Sequence, residues 1–264
     1  MDFEQLAKIE NESERINRTY DIFNEDARLN HSKAARVEFL TTVRYIEKYL
    51  KEGDKILDIG AGAGEYSLHF ARKGYEVSAL ELADANIAAF KKKLRPEDTV
   101  ALSQGNALDL SRYKDKSFDV VLLFGPLYHL KKDEDKKRCI REAKRVLKDG
   151  GKIFFAFISN DFVFLTELLY NAKYFACGDY DKETFKLHDF PFVFHTVDAA
   201  RRLLSDSGIR VLHEVSADGA SELLAETINQ MSDEDYEQYL RYHFYICEKP
   251  ELLGMSNHLL FVGE

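Results

Sequence analysis

No stretch of the 264-residue chain approaches the 18 or more consecutive apolar residues of a membrane-spanning helix. Met1 leads into an acidic segment, unlike the basic and then apolar start of a secretory signal. A cytoplasmic protein with no membrane partner is expected. Cysteine is scarce. Cys139, Cys177 and Cys247 are odd in number, widely spaced and without a C-x-x-C pair, so neither zinc nor a dithiol redox site is indicated and separate reduced thiols are expected. The eight histidines form no H-E-x-x-H or similar cluster, and no metal is expected. Basic residues are also short: 37 Lys and Arg against 46 acids leave a net charge of −9, which argues against a polyanionic partner such as nucleic acid.

What is present is ordinary for a soluble globular protein, with 45% apolar and 31% charged residues. The length suits one large α/β domain with insertions, or a domain with a small cap. Everything else is organised around Lys55 to Gly74, KILDIGAGAGEYSLHFARKG. Ile56, Leu57 and Ile59 make an apolar run too short for a helix and bounded by Gly53 and Gly60, which predicts a buried parallel strand. Asp58 interrupts the run at its exit. Gly60, Gly62 and Gly64 supply a turn that can approach a ligand without a Cβ in the way. Glu65 opens a helix with Leu68, Phe70 and Ala71 on its apolar side and Gly74 as its C-terminal cap.

By itself a glycine turn is equally a tight strand-to-helix connection, and the side chains around it decide its use. A dinucleotide site needs G-x-G-x-x-G with a pyrophosphate at the helix N-terminus. The third-glycine position holds Glu65 counted from Gly60 and Ser67 counted from Gly62. A carboxylate there would repel pyrophosphate, and Asp58 adds a second negative charge. The turn therefore suits a ligand without phosphate and with positive charge, such as a sulfonium carrying an α-amino group. Twenty-one residues after Gly60, the run Val77 to Leu80 ends in Glu81, where an acid can bond both ribose hydroxyls; a solvated strand-end glutamate is the plainer alternative.

ILDIGAGAG resembles the first motif of the class I S-adenosylmethionine (SAM)-dependent methyltransferases, and REAKRVLKDGGKIFFAF resembles a later segment of the same family. Within it the chain is most similar to the ubiquinone-biosynthesis-type and general type 11 enzymes. The resemblance implies an α/β, Rossmann-like doubly wound fold: a seven-stranded, mostly parallel sheet with an antiparallel last strand. Two lid insertions, residues 158–195 and 219–254, interrupt a single domain spanning 1–264, and residues 1–53 form a helical flap and leading helix. It also implies SAM as cofactor and S-adenosylhomocysteine (SAH) as product. The cofactor contacts it points to are Asp58, Gly60, Ala61 and Gly62 in the first motif, Glu81 and Leu82 at the second strand, and Phe124 at the fourth. At the third, Asn106 stands where the family usually has an acid for the adenine amino group, with Ala107 as the small residue beside the ring and Asp109 as a substitute. From the flap come Tyr20, with Arg28 and the pair Thr41 and Thr42 as further contacts or as ordinary surface residues.

The fourth apolar run, Phe118 to Phe124, leads into Gly125-Pro126-Leu127-Tyr128-His129. This resembles the motif that meets the transferring methyl, although of an Asn-Pro-Pro-Tyr pattern only Pro and Tyr remain. Asp84, Thr196 and Ser232 are expected helix caps. Residues 158–195 are too long for a βα connection, and ten of the 38 are Phe or Tyr, which predicts either a self-packed subdomain or the walls of an apolar or aromatic acceptor pocket, or both. Methyl transfer needs alignment and removal of the acceptor's proton rather than a covalent intermediate, so the lack of a nucleophile motif is no obstacle. His129 is the expected general base, with Tyr128 as alternative and a structural histidine as the plainer reading; His195 and His258 are more distant candidates. The expected acceptor is a small, partly apolar or aromatic molecule. Methylation of protein or RNA, a non-catalytic SAM-binding protein and a nicotinamide-dependent oxidoreductase are the alternatives.

Overall fold

A computed structural model describes residues 3–23, 25, 26 and 28–264; positions 1, 2, 24 and 27 of the expected flap lie outside it. Two short helices, α1 (Phe3–Ala7) and α2 (Glu12–Thr19), precede the leading helix α3 (Arg36–Glu47). The glycine-turn unit then runs β1 (Lys55–Ile59), α4 (Glu65–Arg72), β2 (Glu76–Glu81), α5 (Asp84–Lys93) and β3 (Val100–Gln104). The second half of the winding is β4 (Phe118–Leu123), a single 3-10 turn at Pro126–Tyr128, α6 (Asp133–Val146) and β5 (Leu147–Ser159). Helices α7 (Asn160–Tyr170) and α8 (Tyr174–Cys177) lead to a two-residue strand β6 (Phe194–His195), and α9 (Val197–Asp206) leads to β7 (Val211–Ser216). Finally α10 (Ala225–Gln230) and α11 (Asp233–Ile246) precede β8 (His258–Gly263).

The strands order as β3-β2-β1-β4-β5-β8-β7, with β6 pairing off the end of β5. Strands β1 to β5 are mutually parallel, and β8 lies antiparallel between β5 and β7. This is the Rossmann-like, doubly wound sheet with an antiparallel last strand. Its reversal of strand order falls between β1 and β4, so the loops leaving those two strands open a crevice at their carboxyl ends.

Successive residues of the central strands enter opposite cores. Ile56, Val120, Leu122 and Phe154 pack with Phe39, Val43 and Ile46 of α3 and Phe70 of α4 on one face. Leu57, Val121, Leu123 and Phe155 pack with Ile140 and Ala143 of α6 and Leu204 of α9 on the other. A strand buried on both sides has no solvent face to show, which is why these runs read as continuously apolar.

Two expectations need adjusting. Asp84 does not cap α5: Ala83 holds that position without a side-chain bond, and the Asp84 carboxylate instead accepts from Asn17 Nδ2 at 3.0 Å and Gln104 Nε2 at 2.7 Å. Thr196 and Ser232 do cap their helices, through Ala199 N and Asp235 N. The first insertion is shorter than 158–195, because Ile158 and Ser159 extend β5 and pair with Phe194 and His195 of β6. Its side chains build a core of their own, Phe164, Tyr174, Tyr180 and Leu187, separate from the two main ones. No helix among the described residues is long and apolar enough to cross a membrane.

Candidate active site

Asp58 lies on β1, 1% exposed. Its Oδ2 accepts from Ser67 Oγ at 2.7 Å, and its buried Oδ1 has no partner among the described residues. Burial pushes the carboxyl up to about 7, the Ser67 bond opposes this, and Glu81 adds to it. A dry carboxylate oxygen without a donor is costly unless a cation or donor meets it. Gly60 follows with φ +79°, and a Cβ there would stand 2.6 Å from Phe124 O and 2.8 Å from Pro126 Cδ. Only glycine lets the turn run this close to the β4 loop.

The turn is tied to β2 through Glu81. Its Oε2 accepts from Gly62 N at 2.7 Å, and its Oε1 from Ala83 N at 2.8 Å and Asn86 Nδ2 at 3.4 Å. Burial raises this carboxyl and the same hydrogen bonds hold it down, the Ala83 and Gly62 amides most. Each carboxylate oxygen offers two lone-pair directions, so Oε2 keeps one free for a ribose hydroxyl and a second hydroxyl would displace only the long Asn86 contact on Oε1. Asn106 uses Oδ1 on Leu108 N at 2.9 Å and donates from Nδ2 to Ser13 Oγ at 3.0 Å.

Two small hollows lie side by side here. Glu81, Leu82, Asn106, Ala107 and His129 line one of about 50 Å³, closed from above by Ile16 and Tyr20. Asp58, Ala61, Gly62, Phe124 and Tyr128 line the other, of about 40 Å³. Gly60 and Tyr20 border both. All twelve expected site residues, scattered between positions 20 and 129, thus face one crevice. Its volume is well below the ~300 Å³ of a small-molecule pocket, because the flap is shut against it. Besides the Ser13 bond, Tyr20 OH lies 2.8 Å from His129 Nε2, and Asn17 Oδ1 accepts from Asp84 N at 2.9 Å.

A third cavity, of about 890 Å³, opens beside them. Tyr20, Glu25, Arg28 and Tyr128 are walls of both it and the Asp58 hollow. The first insertion contributes Val163, Tyr174, Phe190 and Phe192, and Glu222, Asn257 and His258 close the far side. Tyr128 keeps its proton, since burial pushes its phenol far above the ordinary value, and it is a hydroxyl donor here. His129 is pushed down to about 3, by burial first and then by Arg15, and it faces the Glu81 hollow rather than this cavity.

Several other candidates fall elsewhere. Asp109 is exposed and turns back to accept from Ser111 N at 3.0 Å, so it is no substitute for Asn106. Thr41 bonds Val37 O within α3, and neither it nor Thr42 lines the crevice or the cavity. His195 is buried edge-on against Phe157, behind the cavity wall. Two residues went unforeseen: Glu38 and Asp218 meet His258, with ligand atoms all within 4.8 Å. Arg28 and the imidazole already answer both carboxylates, so the group is an ion-pair network.

A doubly wound sheet whose β1 carries a buried acid with one oxygen unpartnered and leads into a glycine turn, with a β2-terminal acid clamping that turn, has the layout of the SAM-binding class. Residues 57–155 match the family described as "Methyltransferase domain", of the type 11 group. Over 110 residues the chain is 36% identical to 27-O-demethylrifamycin SV methyltransferase of Amycolatopsis mediterranei, covering 39% of this chain and 38% of that protein. It is 33% identical over 99 residues, 35% of this chain and 26% of the other, to a protein of Methanocaldococcus jannaschii named as a candidate ribosomal RNA large subunit methyltransferase. Among solved structures, a SAM-dependent methyltransferase from Methanosarcina mazei superposes with a TM-score of 0.50 at 25% identity, covering 64% of this chain and 86% of that one. These likenesses place the matched stretch with the class I SAM-dependent methyltransferases, the class whose cofactor is SAM. The chain spans less than half the length of these two curated relatives.

Proposed function

We propose that the protein transfers a methyl group from SAM to a small molecule held in the cavity of about 890 Å³. The observation that carries this reading is the shared wall: Tyr128 and Tyr20 border both the hollow containing Asp58 and the large cavity, so two ligands would meet there. The crevice fits the cofactor by its chemistry. Asp58 Oδ1 lacks only a cationic donor, Glu81 stands ready for vicinal hydroxyls, and Asn106 and Ala107 border the place for a base. SAM supplies an electrophilic methyl on sulfur; the chain's part is to align the acceptor and exclude water. Tyr128 orients the acceptor with its hydroxyl, and His129 anchors the flap through Tyr20 rather than exchanging protons.

The small-molecule acceptor is supported by the depth and aromatic walls of the cavity and by the name of the rifamycin relative. The ribosomal RNA relative keeps the rival reading alive, but the wall charges weigh against a polyanion: Glu25, Glu167, Asp179 and Glu222 face Arg28 as the one permanent cation among the described lining residues. The N-terminal flap and the two insertions are read as one substrate-side enclosure on a single domain. Three unpaired thiols, at Cys139, Cys177 and Cys247, support a cytoplasmic setting.

Titration calorimetry tests the cofactor directly. SAM and SAH should give saturable heat and NAD and NADP none; tight NAD binding without a SAM signal would reverse the assignment. The same instrument reads the Asp58 contact. The carboxyl sits near 7 in the free protein, and a ligand ammonium at Oδ1 favours its ionised form, so binding must expel a proton wherever the free acid is protonated. At about pH 6, runs in two buffers of different ionisation heat should show net proton release, fading at about pH 8. Between those values affinity should rise with pH, by up to about tenfold per unit below the free-state pKa. A pH-independent affinity with no release would place the ammonium away from Asp58.

A further inference from the structure

His258 opens β8 on the wall of the large cavity. Its Nδ1 lies 2.7 Å from Asp218 Oδ2 and 3.3 Å from Glu38 Oε2. Both acids are fixed from behind. Asp218 accepts from Ser256 Oγ and from His258 N at 3.1 Å, and Glu38 is gripped by the Arg28 fork at 2.6 and 3.2 Å, which also holds Glu25 at 2.7 Å. With Nδ1 committed to the carboxylates, Nε2 is the ring nitrogen left for a cavity ligand. A carboxylate that accepts Nδ1–H fixes the tautomer and stabilises the imidazolium that forms when Nε2 takes a proton.

We propose, on the methyl-transfer reading above, that His258 is the residue that takes the acceptor's proton, with Asp218 and Glu38 positioning it, and that the acceptor is a neutral aromatic hydroxyl or enol. The reaction balances. The acceptor's O–H bond breaks as its proton passes to Nε2; the oxygen's electron pair forms the new O–C bond while the methyl–sulfur bond breaks with its pair left on sulfur, and the imidazolium later returns its proton to water.

The surroundings select this class over its neighbours. An acceptor with a standing carboxylate would face Glu167, Asp179 and Glu222 in the same cavity. An amine, already protonated, would meet an imidazole that two acids draw toward its own cationic form. A hydroxyl arrives neutral and becomes negative only at the ring that keeps its proton. Aromatic walls at Tyr20, Phe23, Tyr174 and Phe192 suit a flat ring. Burial lowers the basicity of His258, but Glu38 and then Asp218 reverse this and lift it above the ordinary imidazole, whereas His129 is driven the other way. Proton transfer is efficient when donor and base are matched near the working pH. The titratable and charged groups facing this assembly are Glu38 and Arg28 directly, Glu25 through Arg28, and Tyr239 and His243 of α11 against Asp218, the last two kept neutral by burial.

The probe is 4-nitrophenol, whose phenolate is coloured, titrated into the protein saturated with SAH. The bound phenol should ionise at least about one pH unit below the free one, since a fixed cation favours the anionic form. His258→Gln should abolish this shift and Asp218→Asn should reduce it, with SAH affinity by calorimetry unchanged in both as the test of fold. A phenolate signal indifferent to His258→Gln overturns the proposal. So does failure of 4-nitrophenol to bind at millimolar concentration, or methylation of phenethylamine in preference to any phenol. Failure of SAH itself to bind would instead reject the methyl-transfer reading on which this rests.

Discussion

Replacing Glu81 with alanine is expected to weaken SAM binding by about a hundredfold while leaving the fold in place. Hydrogen bonds from hydroxyls to an ionised acceptor contribute about 1.5–3 kcal/mol each, and two of them correspond to about two decades of affinity. The side chain also organises the turn: without it, the amides of Gly62 and Ala83 lose their acceptor and the glycine turn loses its tie to β2. The two effects have the same sign. Isothermal calorimetry on Glu81→Ala and Glu81→Gln separates them, because glutamine keeps an acceptor for one amide but lacks the charge. Alanine and wild type binding alike would put the ribose elsewhere.

Excising most of the first insertion is expected to abolish turnover with little effect on cofactor affinity. Residues 163–189, replaced by a flexible linker, remove Val163, Tyr174 and Leu187 from the cavity wall. No residue on that stretch lines either cofactor hollow. The stretch packs chiefly on itself, around Phe164, Tyr174, Tyr180 and Leu187, so its loss should lower the melting temperature modestly and leave the main cores closed. Val193, whose amide bonds Tyr128 O at 2.8 Å, is kept so that the methyl-facing loop retains its support. Melting curves, SAM titration and SAH release on one preparation decide the matter. Simultaneous collapse of fold and SAM affinity would make the insertion a structural part of the domain.

The cofactor half was legible because its signals are local. Strand, acid, glycine turn and second acid fall within about thirty residues and each has its own sequence mark. The acceptor half was legible only as composition: aromatic enrichment announced a pocket, but not that β5 would run on to Ser159 and recruit β6 beside it. Tyr128 and His129 show the limit at single-residue scale. Adjacent in sequence at the end of a 3-10 turn, they diverge, Tyr128 toward the large cavity and His129 toward the flap. Asp109 was misplaced because an aspartate can as easily satisfy a backbone amide two residues on as face a ligand. Glu38 and Asp218 stand 220 and 40 residues from His258 and carry no local mark; only the closure of α3 over the sheet beside β8 brings the three together.

The wall formed by Tyr20, Glu25, Arg28 and Tyr128 is common to the crevice and the cavity, so a ligand that displaces it in one chamber alters the other. If occupancy of one shifts this wall, the affinities of both ligands change by the same factor, whichever arrives first. Arg28 makes such coupling concrete, since one guanidinium holds Glu25 on the flap side and Glu38 beside His258. A dissociation constant for either ligand is therefore defined only when the occupancy of the other chamber is stated.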